Sequence, residues 1–151
     1  MPACRAKGCK LRYRFLLADA STAIGDPDVA LAHDDVFVAP PSTWLLRPLF
    51  DRAERPFRFH VETPKDIAFA TGVFPDAARP QSFRATVGDL PMTPYSAFGK
   101  LRQIATDVGG RAVDIALAPG SFSVGEAKVL DWIRASADET GLLQALNGAG
   151  H

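Results

Sequence analysis

The chain has 151 residues, about one domain's worth on a prior of roughly 100–200 residues per domain. Hydrophobic residues make up 47%, well above what a disordered chain carries. Lys+Arg and Asp+Glu each number 17, so no basic excess points to nucleic acid or an acidic membrane as the main partner. No apolar run approaches the ~18 residues of a membrane span. The polar, basic start from Met1 to Lys10 has no apolar core behind it, so it does not read as a secretory signal, and localisation stays open.

In chain order, the first feature is the cysteine pair Cys4 and Cys9, too few for a zinc ribbon. Free thiols, a local disulfide and a redox pair all stay open. Five basic residues lie between Arg5 and Arg14, interleaved with Tyr13. Leu11, Tyr13, Phe15 and Leu17 alternate with Lys10, Arg12 and Arg14, which predicts a half-buried strand with the basic residues on its solvated face. Alternation recurs at Phe57, Phe59 and Val61, at Phe83, Ala85 and Val87, and at Val113, Ile115 and Leu117. Shorter candidates are 36–39, 67–71 and 103–108. Turn chemistry bounds them at Gly25-Asp26-Pro27, Pro40-Pro41, Gly88-Asp89 and Gly109-Gly110.

Near Gly120 the period changes from 2 to 3.6. Ser123 and Glu126 have the S-x-x-E spacing of a capping box, with Ser123 as N-cap. Val129, Leu130, Ile133 and Ala137 then follow helical spacing opposite Lys128, Asp131, Arg134 and Asp138. Leu142, Leu143 and Leu146 extend the apolar side despite Gly141, and Asn147-Gly148 is the stop. The expected fold is mainly β (α+β): an antiparallel sandwich or open barrel of about seven strands with one C-terminal α-helix. Residues 1–120 form the β-rich domain. Residues 121–148 form a helix packed on it or opening a following domain.

Motifs for chemistry are sparse. His33-Asp34-Asp35 and His60-x-Glu62 are the clusters of His with acids, and His151 is terminal. His60 and Glu62 project from one face of a strand, so they can reach each other or a cation. The P-C-x-x-C segment of zinc deaminases, the H-E-x-x-H of metallopeptidases, the G-x-S-x-G elbow and the phosphate-binding glycine motifs do not occur. A solvated strand face is therefore the expected setting for Arg58, His60 and Glu62, with His60 and Glu62 held as acid/base candidates. The segment from Val36 to Pro48 is too apolar for a plain exposed loop. Either it plugs one open end of the sheet or it forms a binding surface through Phe37, Trp44, Leu45 and Arg47.

That segment, Asp35 to Pro48 (DVFVAPPSTWLLRP), is similar to a stretch in the N-terminal β-domain of glycyl aminopeptidase-like metallopeptidases. Phe57 to Pro64 (FRFHVETP) and Ala70-Thr71-Gly72 resemble that domain's next strands and turn, and Leu11 to Phe15 resembles an earlier strand. Val129 to Ile133 looks like the first helix of the peptidase domain that follows. The resemblance implies a zinc aminopeptidase with a thermolysin-like catalytic domain and often a PDZ domain. There, two helical His and a downstream Glu hold zinc, while the Glu inside the motif activates water. No position here matches that motif, so no catalytic or metal residue carries over. No cofactor is expected in this chain, with zinc only in a following domain.

The resemblance thus implies an excised N-terminal portion or a truncated relative: not an enzyme by this chain alone, but a β-domain packing against a peptidase domain or positioning its substrate. The alternative is a stand-alone ligand- or protein-binding β module that uses a sheet edge or the Trp44 segment. The partner expected is a peptidase domain or a peptide ligand, with no nucleic acid and no membrane. A homodimer through the C-terminal helix is a further expectation.

Overall fold

A computed structural model describes Gly8, residues 10–47 and residues 52–148, with side chains of the last helix described as far as Ala137. Cys4, Cys9, Pro48 and His151 lie outside the described residues, as do the side chains of Leu142, Leu143 and Leu146. The fold is mainly β: among the described residues there are eight strands, all paired antiparallel, and three α-helices, the longest of them C-terminal. The sheets do not close into a barrel.

The first alternating segment does not become a strand. Residues 11–16 run unpaired, and helix α1 (Leu17–Ile24) follows. Leu16 supplies the first carbonyl acceptor, to the Ala20 N–H, and Gly25 closes the helix in a left-handed conformation with its N–H on the Ser21 carbonyl. Ala18, Ala20 and Ala23 are strong helix formers, and they outweigh an alternation that ends at Leu16-Leu17. Leu11, Tyr13 and Phe15, the side expected to face a core, are exposed. Tyr13 is tied down by its tip: its hydroxyl donates to the Trp44 carbonyl at 2.8 Å.

Strands β1 (Leu31–His33) and β2 (Val36–Ala39) form a hairpin in which His33 opposes Val36. The two loop residues, Asp34 and Asp35, have φ of +48° and +60°. A two-residue hairpin turn of this hand needs positive φ at both positions, and Asp tolerates it better than most side chains. The His33-Asp34-Asp35 cluster is therefore a turn. After Pro40, Pro41 opens the single turn α2 (Pro41–Trp44), where its fixed φ and missing N–H cost nothing.

Strand β3 (Pro56–His60) pairs with β5 (Ser82–Thr86), Phe59 directly opposite Phe83. Strands β4 (Ala68–Thr71) and β6 (Ser96–Gly99) complete a four-stranded sheet in the order β1-β2-β6-β4. Its register places Phe37, Phe98 and Phe69 in one row across β2, β6 and β4. The third unit is a hairpin, β7 (Arg102–Val108) with β8 (Arg111–Leu117), turned by Gly109 and Gly110 at positive φ. The Gly110 N–H donates to the Asp107 carboxylate at 3.0 Å.

Helix α3 (Glu126–Gly148) starts two residues later than a capping box at Ser123 requires. Gly125, at φ +80°, precedes it and offers its carbonyl to the Val129 N–H. Glu126 does not reach back to Ser123 but pairs with Arg102 on β7, tying helix to hairpin. The opposite charge on a neighbouring element wins over the local cap. Val129, Leu130, Ile133 and Ala137 are half-buried while Lys128, Asp131 and Arg134 face solvent, as the 3.6 period requires.

The core joins the first two sheets. Phe59, Val61 and Val73 are buried, with Trp44, Leu45, Phe57, Phe69, Phe83, Ala85 and Phe98 packed around them. Gly99 lets β6 lie close to the β1–β2 turn: an added Cβ would meet the Asp35 carbonyl oxygen at 2.7 Å and Val36 Cα at 3.0 Å, at φ +152°. Gly99→Ala is therefore expected to destabilise the fold by about 1–3 kcal/mol, the usual cost of overpacking, read as a lower Tm in thermal denaturation.

Candidate functional site

The Val36 to Trp44 segment enters the core. Trp44, delivered by the α2 turn, sits edge-on to three rings: Phe98 at 5.3 Å, Phe59 at 5.7 Å and Phe69 at 6.5 Å between centroids. Phe37 and Leu45 are half-buried and Arg47 is exposed, so these four residues do not form one exposed patch. Trp44 is itself half-buried and packs against the core, and Thr43 donates to the Val29 carbonyl at 2.8 Å to hold the turn down. Among the described residues, Trp44 Nε1 is buried without a hydrogen-bond partner. Such a group costs about 1–3 kcal/mol. Trp44→Ala is expected to lose about 3–5 kcal/mol of stability in urea denaturation, whereas Trp44→Phe, which keeps a ring and removes the orphan N–H, loses markedly less.

His60 and Glu62 do meet. His60 Nε2 lies 3.5 Å from Glu62 Oε1, and His60 Nδ1 lies 2.9 Å from Ser82 Oγ on the facing strand, the direction of that bond following the imidazole tautomer. Arg58, two residues before, pairs with Asp76 at 3.3 Å. This group lies on the outer surface of the β3–β5 pair: the His60 side chain is 50% exposed and that of Glu62 85%, while Ser82 is buried beneath them. None of the three lines the groove beside β4. Among the described residues, no group of three or more His, Cys, Asp or Glu is placed to hold a metal ion. Glu62→Gln is expected to change stability by less than about 1 kcal/mol, as exposed ion pairs do. His60→Ala leaves the Ser82 hydroxyl buried and unpaired and is expected to cost about 1–3 kcal/mol. Urea midpoints of the two variants check both values.

A concavity lies elsewhere, at the open end of β4. It has a volume of about 430 Å³. Val61, Ile67, Phe69, Phe83 and Leu101 supply its apolar part, and Lys65, Asp66 and Lys100 its charged rim. Among the described residues, strand β4 is the edge of its sheet and pairs only with β6. The Phe69 carbonyl is turned to the groove side, where the Gln103 side-chain amide donates to it at 3.0 Å. Gln81, also on the rim, holds a left-handed φ of +56°, a conformation with a steric cost for a residue with a Cβ. Its carbonyl accepts from the Val61 N–H. The sequence gives little sign of this groove, since three separate segments build it and none carries a motif.

No protein-family model matches the chain, and no curated protein matches it. The fold is similar to part of an aminopeptidase N family protein from Idiomarina loihiensis, with a TM-score of 0.57 and 15% sequence identity. The likeness covers 73% of this chain and 19% of that one, so this chain spans a small part of the protein it matches. At that identity the likeness concerns the fold alone. Among the described residues, no helix is long and apolar enough to cross a membrane.

Proposed function

We propose that this chain is a non-catalytic β-domain, similar to the N-terminal domain of glycyl aminopeptidase-like metallopeptidases, that packs against a peptidase domain or positions its substrate. The supporting observation is the likeness over most of this chain to a minor part of a much longer aminopeptidase N family protein. The sequence resemblance carried by Val36 to Pro48 and Phe57 to Gly72 supports the same reading. The exposed side chains of Phe122, Val124 and Trp132, the last 69% accessible, offer apolar surface for such packing. Zinc and the water-activating Glu belong, on this proposal, to the peptidase domain.

A second reading, a stand-alone ligand- or protein-binding β module, draws support from the groove at the β4 edge. Two measurements separate the possibilities. The purified chain is expected to hydrolyse alanyl- and glycyl-p-nitroanilide no faster than buffer, with or without EDTA. Hydrolysis abolished by the chelator, together with one equivalent of bound zinc, contradicts the non-catalytic assignment. In extracts of the source organism, an antibody to this chain is expected to detect a polypeptide or complex several times heavier than the 16.2 kDa of these residues. A native species of that mass alone favours the stand-alone module.

A further inference from the structure

We propose that the groove along β4 is a docking site for an extended peptide that carries acidic side chains, added as a strand to the open edge of the four-stranded sheet. Three observations converge there. First, β4 pairs with β6 on one side only, and the Phe69 carbonyl points to the other side. Backbone groups alternate in direction along an antiparallel strand, so the Phe69 N–H shares that outward direction. The Gln103 amide occupies the place where an incoming strand's N–H would bond. Second, the groove beside this edge has a mixed lining, with Val61, Ile67, Phe69, Phe83 and Leu101 interspersed among Thr63, Gln81 and Gln103. An extended peptide points alternate side chains down into such a groove and up to its rim. Third, the rim carries Lys65 and Lys100 against the single acid Asp66, and neither lysine makes an ion pair among the described residues. Lys65 precedes β4 and Lys100 follows β6, so a net positive charge borders the edge and complements carboxylates on an incoming strand.

Lysines on edge strands also serve to block unwanted pairing. In that role they repel cationic strands and leave the edge empty of every partner, so binding distinguishes the two. The site needs no peptidase domain, so its failure leaves the packing role of the chain untouched, and failure of that role leaves the groove untouched.

The test is a fluorescence anisotropy titration of the whole chain with a labelled, capped hexapeptide alternating valine and glutamate. Saturable binding is expected, weakened by salt, with amide chemical-shift changes concentrated at Ala68 to Thr71. The double variant Lys65→Glu with Lys100→Glu alters two exposed side chains, so the fold is preserved. It is expected to lose about tenfold or more in affinity, the effect of turning two attractive surface pairs repulsive. A peptide with lysine in place of glutamate is expected to show the reverse preference. Methylating alternate backbone nitrogens of the glutamate peptide keeps its charges, removes its ladder donors and is expected to abolish binding. Absence of binding by the unmodified peptide overturns the proposal and leaves the lysines as edge guards. Equal binding of the methylated peptide, or of the charge-reversed variant, overturns it as well.

Discussion

Trp44 is the piece on which the two sheets depend. Neither the β3–β5 pair nor the short-stranded sheet β1-β2-β6-β4 has enough strand length to stand alone, since isolated two-stranded ribbons are marginal in water. What joins them is a cluster of rings: Phe59 stacked with Phe83 on one side, Phe69 with Phe98 on the other, and the indole of Trp44 edge-on to rings of both pairs. Favourable ring pairs contribute about 0.5–1.5 kcal/mol each beyond area burial. Trp44 alone makes three of them. The orphaned Nε1 shows the terms of the compromise: the site wants the ring and tolerates the polar atom.

The same packing sets up the edge. Phe69 spends its side chain on the cluster, so its backbone stays fixed with the carbonyl presented to the groove. Gly99 draws β6 against the β1–β2 turn, and Lys100 and Leu101 leave the sheet there to form the far wall. A rigid aromatic interior thus holds an open strand end beside a groove of mixed polar and apolar lining with Lys65 and Lys100 on its rim. His60, Glu62 and Ser82 are not among the residues that line this groove.

Much of this fold was legible because strands buried on one face announce themselves by alternation. Phe57-Phe59-Val61 and Phe83-Ala85-Val87 face the core as their spacing requires, and 103–108 with 113–117 pair as a hairpin around Gly109-Gly110. Strands β1 and β6 escaped notice because three or four residues hold too little period, and because every residue of β1 is exposed. The alternation of Leu11 to Leu17 misled for the opposite reason: a clear pattern had no sheet to join and gave way to an alanine-rich helix. Ser123 and Glu126 had capping-box spacing, but Glu126 found a stronger partner in Arg102. The apolar Val36 to Trp44 segment was recognisable as unusual, and its packing against the core rests on ring contacts that only the tertiary structure brings together. The groove was not legible at all, since it gathers residues from three distant segments.

The central claim, that Trp44 is the interior wedge between the sheets, is most directly tested by its fluorescence. The chain has two tryptophans, and Trp132 is exposed on α3, so a Trp132→Phe variant isolates the signal of Trp44 with little effect on the core. The account predicts blue-shifted emission that acrylamide quenches poorly until the protein is unfolded in urea. Emission like that of indole in water, freely quenched in the native protein, would contradict it.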